Sequence, residues 1–286
     1  MKYINSKKAF TMIEVVFVIM ILGIVVSIGS EIIADVYRSY ILERATHRSS
    51  IKTELAATQV ANRLSYSIPA TVIGRKSTDG SYRSISNLDS SDYDILEWIG
   101  YDNDSFSSKI TPGWSGFIDL DASSATQLKS NGSDIGTANA IITNLGGSGI
   151  GDAGLFFAGQ YNADNIGYNG DTSGVVTVAD SSDNDIFDVN LSSGTTISEH
   201  YKLAWSAYAL KPQDNGNGSF DLVLHYNYRP WKGESLDDGL TQVLVKNVTV
   251  FKFVGSDNTI RFKICQRERI ANDKNITICK EKAVIR

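Results

Sequence analysis

Apolar residues fill the chain from Phe10 to Gly29, twenty positions among which Glu14 is the only charged side chain. At about 1.5 Å per helical residue, that run matches the roughly 30 Å hydrocarbon core of a bilayer. The helical pattern then continues. Residues 31–67 contain neither proline nor glycine, and Ile33, Tyr37, Tyr40, Ile41, Ile51 and Leu55 recur at helical intervals. A second stripe, Ala57, Ala61, Leu64 and Ile68, follows on a rotated face, and Pro69 closes the run. The spacing predicts one helix over 10–67, roughly 87 Å long at about 1.5 Å per residue and too long for burial in a small domain.

Past Ile68 the pattern changes. Residues 77–188 are rich in Ser, Gly, Asn and Asp, with short apolar pieces at 94–99, 116–120, 140–145 and 174–178 that read as strands between long polar loops. Aromatics such as Phe156, Phe157, Tyr161 and Tyr168 punctuate the stretch, so it reads as a loop-rich insertion rather than disorder. From His200 the strand signal strengthens. Residues 201–210 and 219–228 flank Asn215-Gly216-Asn217-Gly218, and 242–254 and 259–265 flank Gly255-Ser256-Asp257-Asn258. Both junctions are hairpin signals. A last strand is expected at 276–285. The expected fold class is α+β: a long N-terminal helix followed by a mainly antiparallel sheet with loop-rich insertions.

Charge and cysteines narrow the chemistry. The first nine residues carry Lys2, Lys7 and Lys8 and no acidic residue; the remainder holds 24 basic against 32 acidic residues, a net charge of about −8. The basic stretch should stay on the cytoplasmic side of a membrane, and the acidic remainder gives no support for nucleic-acid binding. Two cysteines, Cys265 and Cys279, have thirteen residues between them, with no Cys-x-x-Cys pair and no nearby histidine. One structural disulfide in an oxidising compartment is the plain reading, worth about 3 kcal/mol in the chain-entropy model.

Other motifs carry less. Gly149-Ile150-Gly151-Asp152-Ala153-Gly154 has the glycine spacing of a dinucleotide loop, but no helical period follows it to meet a pyrophosphate. Asp180, Asp183, Asp185 and Asp188 could offer oxygen ligands to calcium. Their spacing is not that of an EF-hand, and a solvated acidic turn between Val176 and Val189 explains them as well. His47, His200 and His225 are scattered, Trp98, Trp114, Trp205 and Trp231 are expected in the core, and no catalytic constellation emerges. An enzyme is not expected, nor is any cofactor beyond that candidate calcium.

Lys8-Ala9-Phe10-Thr11-Met12-Ile13-Glu14 resembles the N-terminal signal of type IV pilins and type II secretion pseudopilins. The resemblance covers about 7–29 and, in general shape, the helix to Ser67. It implies a prepilin peptidase that cuts between Ala9 and Phe10 and then methylates the Phe10 amine. Glu14 becomes the fifth residue of the mature chain and, in a filament, the partner of a neighbour's Phe10 ammonium; a lone carboxylate in an apolar centre is expensive unless paired. Gly23 matches a glycine common in that segment. Ala9 stands where glycine is usual, and a proline common further along is missing, with Glu31 in its region. Glu14 argues against the large tip pseudopilins, which lack the acidic residue, while the 218 residues after Ile68 are many for a major pilin. The resemblance therefore implies a minor pilin or pseudopilin with four parts: a leader at 1–9, a filament-core segment at 10–29, its amphipathic continuation at 30–68 and an extracytoplasmic β-rich domain at 69–286. Its partners would be other pilin subunits, the peptidase and the assembly machinery of a bacterial inner membrane. The rival reading is a membrane-anchored periplasmic binding module with no filament role.

Overall fold

A computed structural model describes residues 10–108, 110–191, 194–256, 258–271 and 274–285. The chain divides into two compact units, one of residues 1–49 with 268–276, the other of 50–267 with 277–286. The first is dominated by helix α1, which spans Met12–Ser65 without interruption. Its large apolar side chains are exposed from Phe10 onward, Met12 by 91 % and Ile33 by 70 %. Among the described residues α1 is the one helix long and apolar enough to cross a membrane.

In the second unit the helix changes character. Ala56, Ala57, Val60 and Leu64 are buried against Leu96, Trp98, Leu210, Leu222, Val248, Phe262 and Ile264. Of the second stripe expected from the sequence, Ala57 and Leu64 lie on this core face and Ala61 packs partly against it, whereas Ile68 lies past the helix end in another core; Ala56 and Val60 complete the face instead. The helix ends by tightening. Tyr66 and Ser67 donate to carbonyls three residues back, Ile68 N then donates to Ile99 O at 2.8 Å, and after Pro69 the backbone turns through Ala70 at φ 64°.

That handover leads into a sheet of eight strands in the order β13-β12-β11-β10-β9-β3-β1-β2. Its strands are β1 (Ile73–Arg75), β2 (Tyr82–Ser84), β3 (Ile95–Gly100), β9 (Ser206–Asp214), β10 (Phe220–Tyr228), β11 (Leu240–Gly255), β12 (Thr259–Ala271) and β13 (Lys274–Ile285). From β2 through β12 each neighbouring pair is antiparallel. Strand β3 shows why the sheet holds: all six residues are buried. Leu96 and Trp98 face the helix, while Ile95 and Ile99 face a second core with Phe156, Ala207, Ala209, Tyr228 and Trp231. A strand covered on both faces carries a continuous apolar run, which β3 does apart from Glu97.

The polar middle of the chain folds around a second sheet, β4-β7-β6-β5-β8, built from β4 (Gln127–Lys129), β5 (Gly154–Phe157), β6 (Val176–Asp183), β7 (Ile186–Val189) and β8 (Tyr201–Ala204). Helices α2 (Asn103–Phe106) and α3 (Ile135–Asn144) accompany it. Its core gathers Trp114, Ile118, Ile135, Ile142, Leu155, Phe157, Phe187 and Tyr201. The α+β class and the long helix are as the sequence implied.

Four local expectations are corrected. Residues 140–145, read as a strand, belong to α3 and its cap. Asp134 caps that helix by accepting from Thr137 N at 3.1 Å, and Ile135, Ala138 and Ile142 bury one helical face. Residues 116–120 form no strand; Phe117 and Asp119 make isolated bridges to His200 and Lys129. Residues 201–210 are two strands, because at Trp205 the chain passes from the smaller sheet to the larger. The short strands β2, β4, β5 and β7 fall where the sequence pattern implies polar loop, since three- and four-residue strands leave too little alternation to register. The four tryptophans are all buried, as expected for core anchors.

Candidate functional site

The functional candidates concentrate at the start of α1. Thr11 and Glu14 hold each other across its first turn. Thr11 N donates to Glu14 Oε2 at 3.0 Å, Thr11 Oγ1 to the same oxygen at 3.1 Å, and Glu14 N to Thr11 Oγ1 at 3.4 Å. This reciprocal pattern is a capping box: two backbone donors that no helical carbonyl can reach are satisfied by side chains. A carboxylate in the first turn also complements the helix dipole. The sequence reading missed this role, although Thr-x-x-Glu ahead of an apolar run is its signature. Phe10, just before the box, is 81 % exposed, and apolar side chains surround Glu14 along the following turns. Ala9 and the rest of the leader, with its lysines, lie outside the described residues.

The other candidates separate. Cys265 and Cys279 form a disulfide with their Cα atoms 4.0 Å apart, tying β12 to β13. Asp180, Asp183, Asp185 and Asp188 lie on the β6–β7 hairpin but do not converge: among the described residues no group of three or more His, Cys, Asp or Glu could hold a metal ion. Asp180 and Asp183 each accept from the next residue's N–H, Asp188 accepts from Gln127 and Ser182, and Asp185 pairs with Lys129 at 3.7 Å. At 149–154 a single 3-10 turn leads into β5, so no helix N-terminus is offered to a phosphate.

Three buried carboxylates elsewhere in the second unit, Glu97, Asp102 and Asp152, bond to neighbours within it. Glu97, 1 % exposed, accepts from Arg75 Nε at 2.8 Å and from Tyr228 Oη at 2.9 Å. Burial raises its carboxyl above the usual range, against the opposing pull of the Arg75 guanidinium. Asp152 is gripped by Arg229 and Lys232. Asp102 caps α2 through Ser105 N, and burial raises its carboxyl too. The cleft beside the last turns of α1, about 320 Å³, is lined by Asn62, Arg63, Tyr101, Asp104 and Tyr208 among others, with no nucleophile beside a base.

The capped helix that leads into the antiparallel sheet is long and apolar enough to cross a membrane, and its apolar side chains are exposed. Residues 4–30 match the family model of the prokaryotic N-terminal methylation motif, the signature of type IV pilins and pseudopilins. The motif and the apolar helix fit a pilin-like precursor with a single membrane pass, and the motif implies peptidase processing and assembly with other pilin subunits. The family defined by this motif is structural rather than enzymatic. No curated protein and no solved structure matches the chain.

Proposed function

We propose that the chain is a minor subunit of a type IV pilus or type II secretion-like filament, made as a precursor in a bacterial inner membrane and acting by assembly, not catalysis. Residues 1–9 form a cytoplasmic leader, removed by cleavage between Ala9 and Phe10, after which the Phe10 amine is methylated. Residues 10–29 enter the filament core, 30–68 continue the spine, and 69–286 form the extracytoplasmic body.

The observation that carries this reading is Glu14, placed in the first turn of an apolar, solvent-exposed helix inside the matched motif. A carboxylate there costs about 2.5–3.5 kcal/mol at mid-bilayer on insertion scales, so its presence calls for a partner. The ammonium that cleavage creates on a neighbour's Phe10 supplies one, and a slip of one helical turn would leave both charges unpaired. Mass spectrometry of the mature N-terminus is the test. A chain beginning with methylated Phe10 is expected; an intact Met1, or a chain beginning at Ser30 after ordinary signal cleavage, would overturn the proposal.

A further inference from the structure

Charge is distributed very unevenly along the body. Residues 77–199 hold eighteen Asp or Glu against three Lys or Arg, whereas 240–286 hold ten Lys or Arg against four Asp or Glu. The strand registers sharpen this imbalance into two surfaces. On β11–β12, Lys252 sits directly opposite Lys263, and Val254 opposite Arg261. All four side chains are exposed, while the alternate residues Phe262 and Ile264 are buried in the core. On β6–β7, Asp180 sits directly opposite Asp188, with exposed Asp183 near the tip.

Like charges in direct cross-strand pairs destabilise a sheet. Here the fault occurs twice, with opposite signs. Among the described residues no ion pair neutralises Lys252, Arg261 or Lys263; Lys252 Nζ donates to Ser91 O at 3.0 Å. The shallow depression they line, about 300 Å³, includes one carboxylate, Glu281. The hairpin's ion pair with a described cation is the one between Asp185 and Lys129.

We propose that the outward face of β11–β12, with Lys252, Arg261 and Lys263, docks the acidic β6–β7 hairpin of a second copy of this chain. Each surface supplies the countercharge that the other lacks, and exposed Val254 gives the basic face one apolar side chain to bury. A phosphate-bearing ligand would suit the basic face but leave the hairpin's own repulsion unrelieved. Where each copy offers its two surfaces to two different neighbours, the contact is heterologous and repeats head to tail. It uses neither Phe10 nor Glu14, and it goes beyond the filament reading by placing copies of this chain side by side.

The test uses the full-length chain in lipid nanodiscs as an equal mixture of ¹⁵N-labelled and unlabelled copies. A carbodiimide joins touching carboxylates and amines without a spacer, and mass spectrometry of mixed-isotope peptides reads only links between copies. Links from Lys252 or Lys263 to Asp180, Asp183, Asp185 or Asp188 are expected. They should fall about tenfold in 1 M salt, where the Debye length is about 3 Å. The pair Lys252→Glu, Lys263→Glu should abolish association, as should Asp180→Lys, Asp183→Lys on separate copies. Mixing the two reversed proteins should restore it, because both junctions then join opposite charges. Lys252→Gln, Lys263→Gln serves if the reversed pair does not fold, and should weaken the links without mixing rescue. Links that ignore these changes, or reversed copies that do not rescue each other, would overturn the proposal. So would retention of duplex DNA or anionic vesicles on the basic face with no links between copies. Those failures would leave a methylated Phe10 untouched, and so would not count against the filament reading.

Discussion

Glu97 and Arg75 show how a single polar pair is tolerated inside an apolar strand. The carboxylate sits on the face of β3 that carries Ile95 and Ile99, and it survives there because Arg75 and Tyr228 meet both of its oxygens. Arg75→Met would strand that carboxylate without a countercharge. A loss of about 3–5 kcal/mol in unfolding free energy is expected by chemical denaturation. The double variant Arg75→Met, Glu97→Gln should lose much less than the sum of the single changes. Asp102 is the opposite case, a buried carboxylate with no ion pair among the described residues, raised by desolvation ahead of the opposing Ser105 hydrogen bonds. Its folded form keeps a proton that the unfolded chain has already released, so stability falls as pH rises from the ordinary carboxylate range through the raised value. Asp102→Asn can still accept from Ser105 N. Its thermal midpoint should therefore drop less than that of the unaltered chain between about pH 4 and about pH 7, and an unchanged profile would refute the assignment. Residue-level chemistry is partly legible in the sequence: Glu14 stands out by its apolar surroundings, whereas its bond to Thr11 depends on where the first turn of the helix begins, which an apolar run alone does not fix.

At the scale of elements, legibility tracked the length of the repeat. Helix α1 announced itself over fifteen turns of pattern, and the β9–β10 hairpin by Asn215-Gly216-Asn217-Gly218, where Gly216 and Gly218 adopt φ of 71° and 72°. Helix α3 did not. Its apolar run at 140–145 is short enough to fit either period, and the deciding residue, Asp134, lies outside it. The junction at Trp205 was hidden for another reason, since both strands are apolar on each side and only tertiary pairing assigns them to different sheets. The disulfide belongs to this scale as well. Cys265 and Cys279 close a loop of fourteen residues between the last two strands. Replacing both by serine should lower the unfolding free energy by about 3 kcal/mol. Hydrogen exchange should quicken first in β12 and β13, and equal quickening throughout the sheet would argue against a local staple.

For the whole molecule the expected consequence of Glu14 is assembly rather than folding. Glu14→Leu removes the cost of the carboxylate in the bilayer, so the variant should still insert and still be cleaved before Phe10. It should fail to appear in sheared or sedimented filaments, and normal incorporation would sink the role in register. The junction between α1 and the larger sheet has a mechanical meaning as well. Ser67 bridges Gly100, Ile68 N donates to Ile99 O, and Tyr101 N donates back to Tyr66 O at 2.9 Å. These bonds fasten the end of the helix to β3, which has β1 on one side and β9 on the other. A pull along the last turns of α1 thus enters the sheet at an interior strand and spreads to both neighbours, instead of peeling an edge. A load on the end of the helix is therefore shared between two strand pairs from the outset.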